Sequence, residues 1–244
     1  MRRLLPEPGP LNDAGLVDAY RLPPGRSMRV NFVVSLDGAV TVDGLSKGLG
    51  SPGDLRIFRV LRALADVVLV GHGTAAAEGY RPIAADSPVG RLRASIGRPP
   101  TAPIAVVSRR ASLEPDSALV TGAVSPTILI TSTSTDPSRR AALADAGVTV
   151  LACGEDDVDL PLALDRLAEL GHEQVLCEGG PQLLRAALSA GVVDELDLSL
   201  VPALVGGERR LLGDALPDVV RLELRQLLEE DGVLFGRYRP GHAG

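Results

Sequence analysis

The chain has 244 residues, 45% of them hydrophobic, enough apolar material for one large domain; with three Phe, three Tyr and no Trp its core must be aliphatic. Its 25 basic and 31 acidic residues give a net charge of -6; an acidic chain so short of stacking side chains excludes nucleic acid as a main partner. Cys153 and Cys177 lie 24 residues apart, which excludes a CxxC redox or zinc pair and a disulfide framework.

The opening MRRLLPEPGP is interrupted by proline and Glu7 before any apolar region develops, and the most apolar stretch, 63–70, is short and contains Asp66. A signal peptide or membrane span is therefore not expected, and the chain reads as cytoplasmic. Residues 1–28 hold five prolines and no sustained apolar period. They read as an arm with one short helix over 13–20, leaving 29–244 as a single domain.

From Arg29 onward, short β-branched runs alternate with helical patterns. The pattern predicts strands at 30–34, 66–70, 104–107, 127–130, 148–151, 174–177 and 196–201. Helices are predicted at 53–64, 137–146, 160–170 and 181–190, with Asp136 before Pro137 and Gly147, Gly171 and Gly191 past three helix ends. Such alternation implies helices on both faces of a largely parallel sheet. The tail differs. Segments 222–228 and 233–238, joined through Asp231-Gly232, read as an antiparallel hairpin at one edge.

Four segments invite chemistry. Gly71-His-Gly-Thr-Ala-Ala76 follows a strand and matches GxGxxA, but no second strand with an acidic end follows at the required distance. A standard dinucleotide fingerprint is thus disfavoured, while a turn whose exposed N–H groups hold phosphate is retained at Gly71 and Gly73. Glu178-Gly-Gly-Pro-Gln-Leu183 follows the strand QVLC and opens a helix. There a carboxylate at a parallel strand end meets paired glycines and a helix N-terminus suited to a diphosphate; the bland alternative is a tight βα connection. Gly44-Leu-Ser-Lys-Gly48 matches GxSxG, but Ser46 has no strand directly before it and no helix directly after, so a serine hydrolase is a minor reading. The strand Asn31-Phe-Val-Val-Ser-Leu-Asp-Gly38 begins with a polar residue and closes on a turn, and the residues alone leave its role open. A zinc deaminase (HxE with PCxxC) and a Walker loop (GK[ST]) are both missing from the sequence, and no metal is expected.

In this order and spacing the segments resemble the reductase domain of riboflavin biosynthesis. The marks are Asn31 with Ser35-Leu-Asp-Gly38, then Ser46 and Arg62, Gly71–Thr74 ahead of Glu78, Leu176–Leu183, Val193–Leu196 and Pro202–Gly207. The resemblance implies a dihydrofolate-reductase-like α/β fold, a three-layer αβα sandwich with a mostly parallel sheet and the C-terminal hairpin at one edge. It implies a homodimer, NADPH, and reduction of a ribosylamino-pyrimidine to its ribityl form without deamination.

Carried over, Thr74 and Glu78 contact the cofactor and Gly179, Gly180, Pro181, Gln182 and Leu183 hold its diphosphate. Ser108, Arg109 and Arg110 stand where the adenosine 2′-phosphate binds, which a guanidinium fork suits, although a solvated loop is an equal reading for the arginines. Asn31, Ser46, Arg62 and Glu178 face the substrate. Relatives have Trp where this chain has Lys47-Gly48, and their phosphate-gripping segment reads Gly79-Tyr-Arg-Pro-Ile83 here, leaving Arg81 as a partial substitute. Asp37 and Glu178 are the candidate proton handlers or substrate anchors. Two alternatives stay open: an NADPH-dependent pterin or dihydrofolate reductase, and a non-catalytic NADPH-binding module.

Overall fold

The computed structural model describes residues 1–207 and 209–241. Glu208 and the last three positions of the expected 29–244 domain lie outside the described residues. In chain order the elements are β1 (Arg2–Leu5), β2 (Gly9–Pro10), α1 (Asp13–Tyr20), β3 (Ser27–Ser35), α2 (Pro52–Leu64), β4 (Val67–Gly71) and α3 (His72–Ala77). There follow α4 (Pro88–Ser95), β5 (Ile104–Val107), α5 (Ala118–Thr121), β6 (Ile128–Thr131), α6 (Pro137–Asp145), β7 (Thr149–Ala152) and α7 (Leu160–Glu169). The chain ends through β8 (Gln174–Cys177), α8 (Pro181–Ser189), β9 (Glu195–Val201), β10 (Leu222–Glu230) and β11 (Val233–Pro240).

All strands join one 11-stranded sheet in the order β2-β1-β10-β11-β9-β3-β8-β4-β5-β6-β7. From β9 to β7 every neighbour is parallel; β2, β1, β10 and β11 are antiparallel and occupy one edge. This is the mixed α/β architecture expected from the sequence. The hairpin closes on Asp231 and Gly232, both at positive φ (52° and 81°), the backbone an Asp-Gly hairpin turn requires.

The parallel strands bury both faces, and their side chains alternate between two cores. In β4, Val68 and Val70 face the α1–α2 side, while Val67 and Leu69 face the α7–α8 side. Helix starts follow local chemistry: the side chains of Asn12, Ser51 and Asp159 accept the N–H groups of Gly15, Asp54 and Leu162 at 2.8, 3.0 and 2.9 Å.

Residues 1–28 do more than an arm. Arg2 and Arg3 pair in register with Glu229 and Leu228 of β10, so the outermost strands at this edge come from the N-terminus, beyond the hairpin. Prolines 6, 8 and 10 punctuate these strands without preventing them, and Leu16 and Tyr20 of α1 are fully buried. Helices α3, α4 and α5 are additional to the five read from the sequence, and Ser46–Gly48 forms a single 3-10 turn. No helix among the described residues is long and apolar enough to cross a membrane.

Candidate active site

After β3 the chain moves outward through β4, β5, β6 and β7, then returns to insert β8 between β3 and β4. The carboxyl ends of β3, β8 and β4 therefore converge where strand order reverses, the place where open α/β sheets form a ligand crevice. A cleft of about 870 Å³ lies there.

Its floor carries an ion pair set by two distant elements. Glu178 follows the last residue of β8 and is only 7% exposed. Arg62, in the last turn of α2, donates from Nε to Oε1 and from Nη2 to Oε2, both at 2.7 Å. The Tyr80 hydroxyl donates to Oε2 at 2.5 Å. The guanidinium lies 4.3 Å from the Phe58 ring centroid and 5.2 Å from that of Tyr80. Burial alone would lower the Arg62 guanidinium, but the Glu178 carboxylate and its hydrogen bonds outweigh it and the net shift is upward. Burial pushes the Tyr80 phenol well above its usual value, with the Glu178 charge adding to it.

Of the residues singled out from the sequence, Asn31, Ser46 and Arg62 line this cleft together with Thr74, Glu78, Arg81 and Glu178. Glu78 also accepts the backbone N–H of Ser46 at 2.7 Å, tying the glycine turn after β4 to the loop ahead of α2. The two glycine segments meet behind the cleft: Gly71 N–H donates to the Gly179 carbonyl at 2.7 Å, and a Cβ placed on Gly180 would stand 2.5 Å from Thr74 Oγ1. Gly180 is the N-cap of α8 and has no side chain to cap it, so the first N–H groups of that helix have no side-chain partner there. Gly73 borders open space. Pro181, Gln182 and Leu183 form the first turn of α8.

Ser108, Arg109 and Arg110 follow β5, whose Val107 pairs with Gly71 in register, so they stand one strand along the same rim. Ser108 is buried and its hydroxyl accepts the Ser112 N–H; both arginine side chains are exposed. The Arg109 carbonyl accepts the hydroxyls of Thr131, Ser132 and Thr135, so the Thr/Ser run 131–135 fixes the backbone between the two arginines.

Asp37 is placed differently. It is not among the cleft-lining residues. Its carboxylate accepts the Ser35 hydroxyl at 2.5 Å and the N–H groups of Val205 and Gly206 at 3.2 and 2.7 Å, and these bonds lower it to about 2. A carboxylate so held fastens the turn after β3 to the Pro202–Gly207 segment and is a poor proton donor.

Asp54, in the first turn of α2, is a further cleft-lining residue that no motif in the sequence marks. Burial raises its pKa, against a hydrogen bond from Ser199 that lowers it. Acidic residues are ordinary in a helix's first turn, so no local pattern marks this one.

The family model described as the RibD C-terminal domain matches residues 26–233, a span that contains the whole cleft. A 2,5-diamino-6-ribosylamino-4(3H)-pyrimidinone 5′-phosphate reductase of Methanothermobacter thermautotrophicus is 32% identical over 203 residues, covering 81% of this chain and 90% of the relative. A protein of the same name from Archaeoglobus fulgidus is 27% identical over 179 residues, 73% and 81% of the two chains. Among solved structures, a pyrimidine reductase-like protein of Corynebacterium diphtheriae superposes with a TM-score of 0.76 at 26% identity, over 89% of this chain and 93% of the other. Because the matched span takes in the strand ends, the clasped carboxylate and both glycine segments, the chain belongs to the RibD C-terminal domain family.

Proposed function

We propose that this protein reduces a ribosylamino-pyrimidine 5′-phosphate to its ribityl product with NADPH. The observation that carries the reading is the Arg62–Glu178 clasp at the floor of a cleft bordered by two glycine segments, in a chain whose relatives are named for this reduction.

The residues fit a nicotinamide dinucleotide. Gly73 borders open space and the side-chain-free start of α8 offers N–H groups to a diphosphate, while Thr74 and Glu78 edge the same cleft. Arg109 and Arg110 are the cations available for a 2′-phosphate. When bound, the cofactor supplies a hydride.

The protein's own part is to bind and orient. Glu178 has free acceptor capacity beyond its three donors, and a carboxylate so placed accepts amino N–H groups of a diaminopyrimidine. Arg62 and Tyr80 hold it in one position. Glu78 fixes the Ser46 backbone by accepting its N–H, which holds Ser46 in the cleft lining where its hydroxyl can meet substrate. Lys47 and Arg81 are exposed and line the cleft, which favours a phosphorylated substrate over an uncharged pterin. The homodimer implied by the family resemblance belongs to this reading, and light scattering in solution tests it.

The deciding experiment follows the loss of NADPH absorbance with the aminopyrimidine ribotide and identifies the product by mass. Turnover giving a ribityl compound is expected. No oxidation with this substrate overturns the proposal, and a strong preference for a pteridine replaces the substrate.

A further inference from the structure

Converting a ribosylamine to a ribitylamine requires more than hydride. The C1′–O4′ bond of the ribose breaks, its electron pair stays on O4′, and O4′ must take a proton. The exocyclic nitrogen supplies its lone pair to form C1′=N, and hydride from the reduced nicotinamide then adds at C1′ and restores the C–N single bond. The sum is one hydride and one proton per turnover, and the cleft must deliver that proton.

Few groups in it can. Glu178 is paired through both carboxyl oxygens with Arg62 and meets the substrate as an acceptor, Tyr80 has its proton committed to Glu178, and Asp37 lies outside the cleft with its carboxylate lowered to about 2. Glu78 is engaged by the Ser46 N–H. We propose that Asp54 is the acid that protonates the ribose ring oxygen as the C1′–O4′ bond opens, a role that rests on the reductase reading above.

The geometry supports this. Asp54 lines the same cleft as Arg62 and Glu178 but stands on the opposite end of α2, two helical turns away along the wall, where the sugar of a pyrimidine held at Glu178 would extend. Its backbone is fixed by the Ser51 cap at 3.0 Å, and its carboxyl is turned toward Gly50, where a Cβ would sit 3.8 Å from Oδ2, and toward Ser199 of β9. The charged groups facing the cleft from neighbouring elements are Lys47, Arg62, Glu78, Arg81 and Glu178. None outweighs burial at Asp54, which holds the carboxyl above its ordinary value and so keeps part of it protonated at higher pH. After transfer the carboxylate recovers a proton from water.

The test compares pH profiles of kcat and KM for wild type, D54N, D54E and S199A, with a carbon NMR titration of the Asp54 carboxyl as a readout independent of turnover. Activity requires the protonated acid, so wild-type kcat should fall as pH rises through the NMR-determined pKa. D54N should lose about 100-fold in kcat and the high-pH limb with it, while D54E should recover part of both. S199A removes the bond that lowers Asp54, so the NMR pKa and the kinetic limb should move up together. A D54N enzyme with wild-type kcat and an intact limb, or a loss confined to KM, overturns the acid role. Should D54N not fold, a kinetic limb in S199A that fails to follow the NMR shift does the same. Wild type that oxidises no NADPH with the ribotide is a different failure: it removes the reductase reading, and the acid with it.

Discussion

Arg62 and Glu178 meet fork to fork, Nε to Oε1 and Nη2 to Oε2 at 2.7 Å each, across 116 residues of sequence. The pair joins the end of α2 to the end of β8 and is shielded on both partners, Arg62 being 15% and Glu178 3% exposed at the side chain. A buried carboxylate left without its cation is costly, about 3–5 kcal/mol. Arg62→Ala should therefore lower the melting temperature by several degrees and abolish turnover. Arg62→Lys keeps the charge but not the two-pronged geometry; it should stay folded and lose at least about tenfold in kcat/KM, which corresponds to one charge-assisted hydrogen bond of about 1.4 kcal/mol. Thermal unfolding beside steady-state kinetics checks both. An R62K enzyme with wild-type kcat/KM would show that charge alone suffices.

The contact between the glycine segments makes a second, separable prediction. Gly179 has φ +78°, and a Cβ there would stand 2.3 Å from the Phe32 ring; Gly180 has an ordinary φ, and its Cβ would stand 2.5 Å from Thr74 Oγ1 and at an ordinary 3.8 Å from Thr74 Cβ. Gly179→Ala should destabilise by about 2–4 kcal/mol, combining left-handed strain with overpacking. Gly180→Ala should cost less and be relieved by Thr74→Ala, which removes the clashing oxygen. A double-mutant cycle on unfolding free energy should show coupling of about 1 kcal/mol. Additive effects would mean the two segments do not touch as described.

Much of this fold is legible in the sequence because its periodicities are strong. The β-branched runs that became β5 and β8 have the expected bounds, and Asp136-Pro137 and Gly180-Pro181 mark helix starts where α6 and α8 begin. The edge strands were not legible. Each is four residues or fewer; β1 depends on pairing with β10, more than 200 residues away in sequence, and β2 is held only through β1, so their stability is tertiary rather than local. The site divides along the same line. Arg62, Thr74, Glu78 and Glu178 lie in motifs and converge in the cleft, whereas the Tyr80 hydroxyl and Asp54 acquire their importance only from burial against other elements. Asp37 shows the converse. Its motif is conspicuous, but its carboxylate is occupied by two backbone N–H groups from a segment more than 160 residues later.

Cofactor choice should reside in Arg109 and Arg110. Their side chains are exposed while the intervening backbone is fixed by three hydroxyl donors to the Arg109 carbonyl, so substitution should alter charge without unfolding the loop. Each guanidinium–phosphate contact is worth about 1.5–3 kcal/mol. Replacing both with Ala should raise the KM for NADPH by at least about tenfold and leave that for NADH nearly unchanged, narrowing the preference. An equal change for the two cofactors would place the arginines outside the 2′-phosphate site.

A last prediction concerns stability against pH and comes from the buried charges between α1 and the sheet. Asp197 of β9 is 2% exposed. Arg29 Nε approaches its Oδ2 at 3.1 Å and Arg237 Nε its Oδ1 at 3.8 Å, yet neither oxygen receives an aligned hydrogen bond among the described residues. Arg29 instead directs its donors to Glu195 and to the Tyr20 carbonyl. Burial therefore outweighs the two guanidinium charges, and with Glu195 nearby the carboxyl is raised to about 7. Between the ordinary carboxylate range and about 7 the folded protein holds a proton that the unfolded chain has released, so this contribution is complete at low pH and is lost as pH rises through 7. Asp197→Asn mimics the neutral form at every pH. Its melting temperature should equal or exceed that of wild type at pH 8, and the advantage should shrink or reverse by pH 5, where wild-type Asp197 is itself neutral. Taking the difference between the two proteins removes the titration of the other carboxylates they share. A difference that does not change between pH 5 and 8 would mean Asp197 is ionised throughout, held by Arg29 and Arg237 despite their poor alignment.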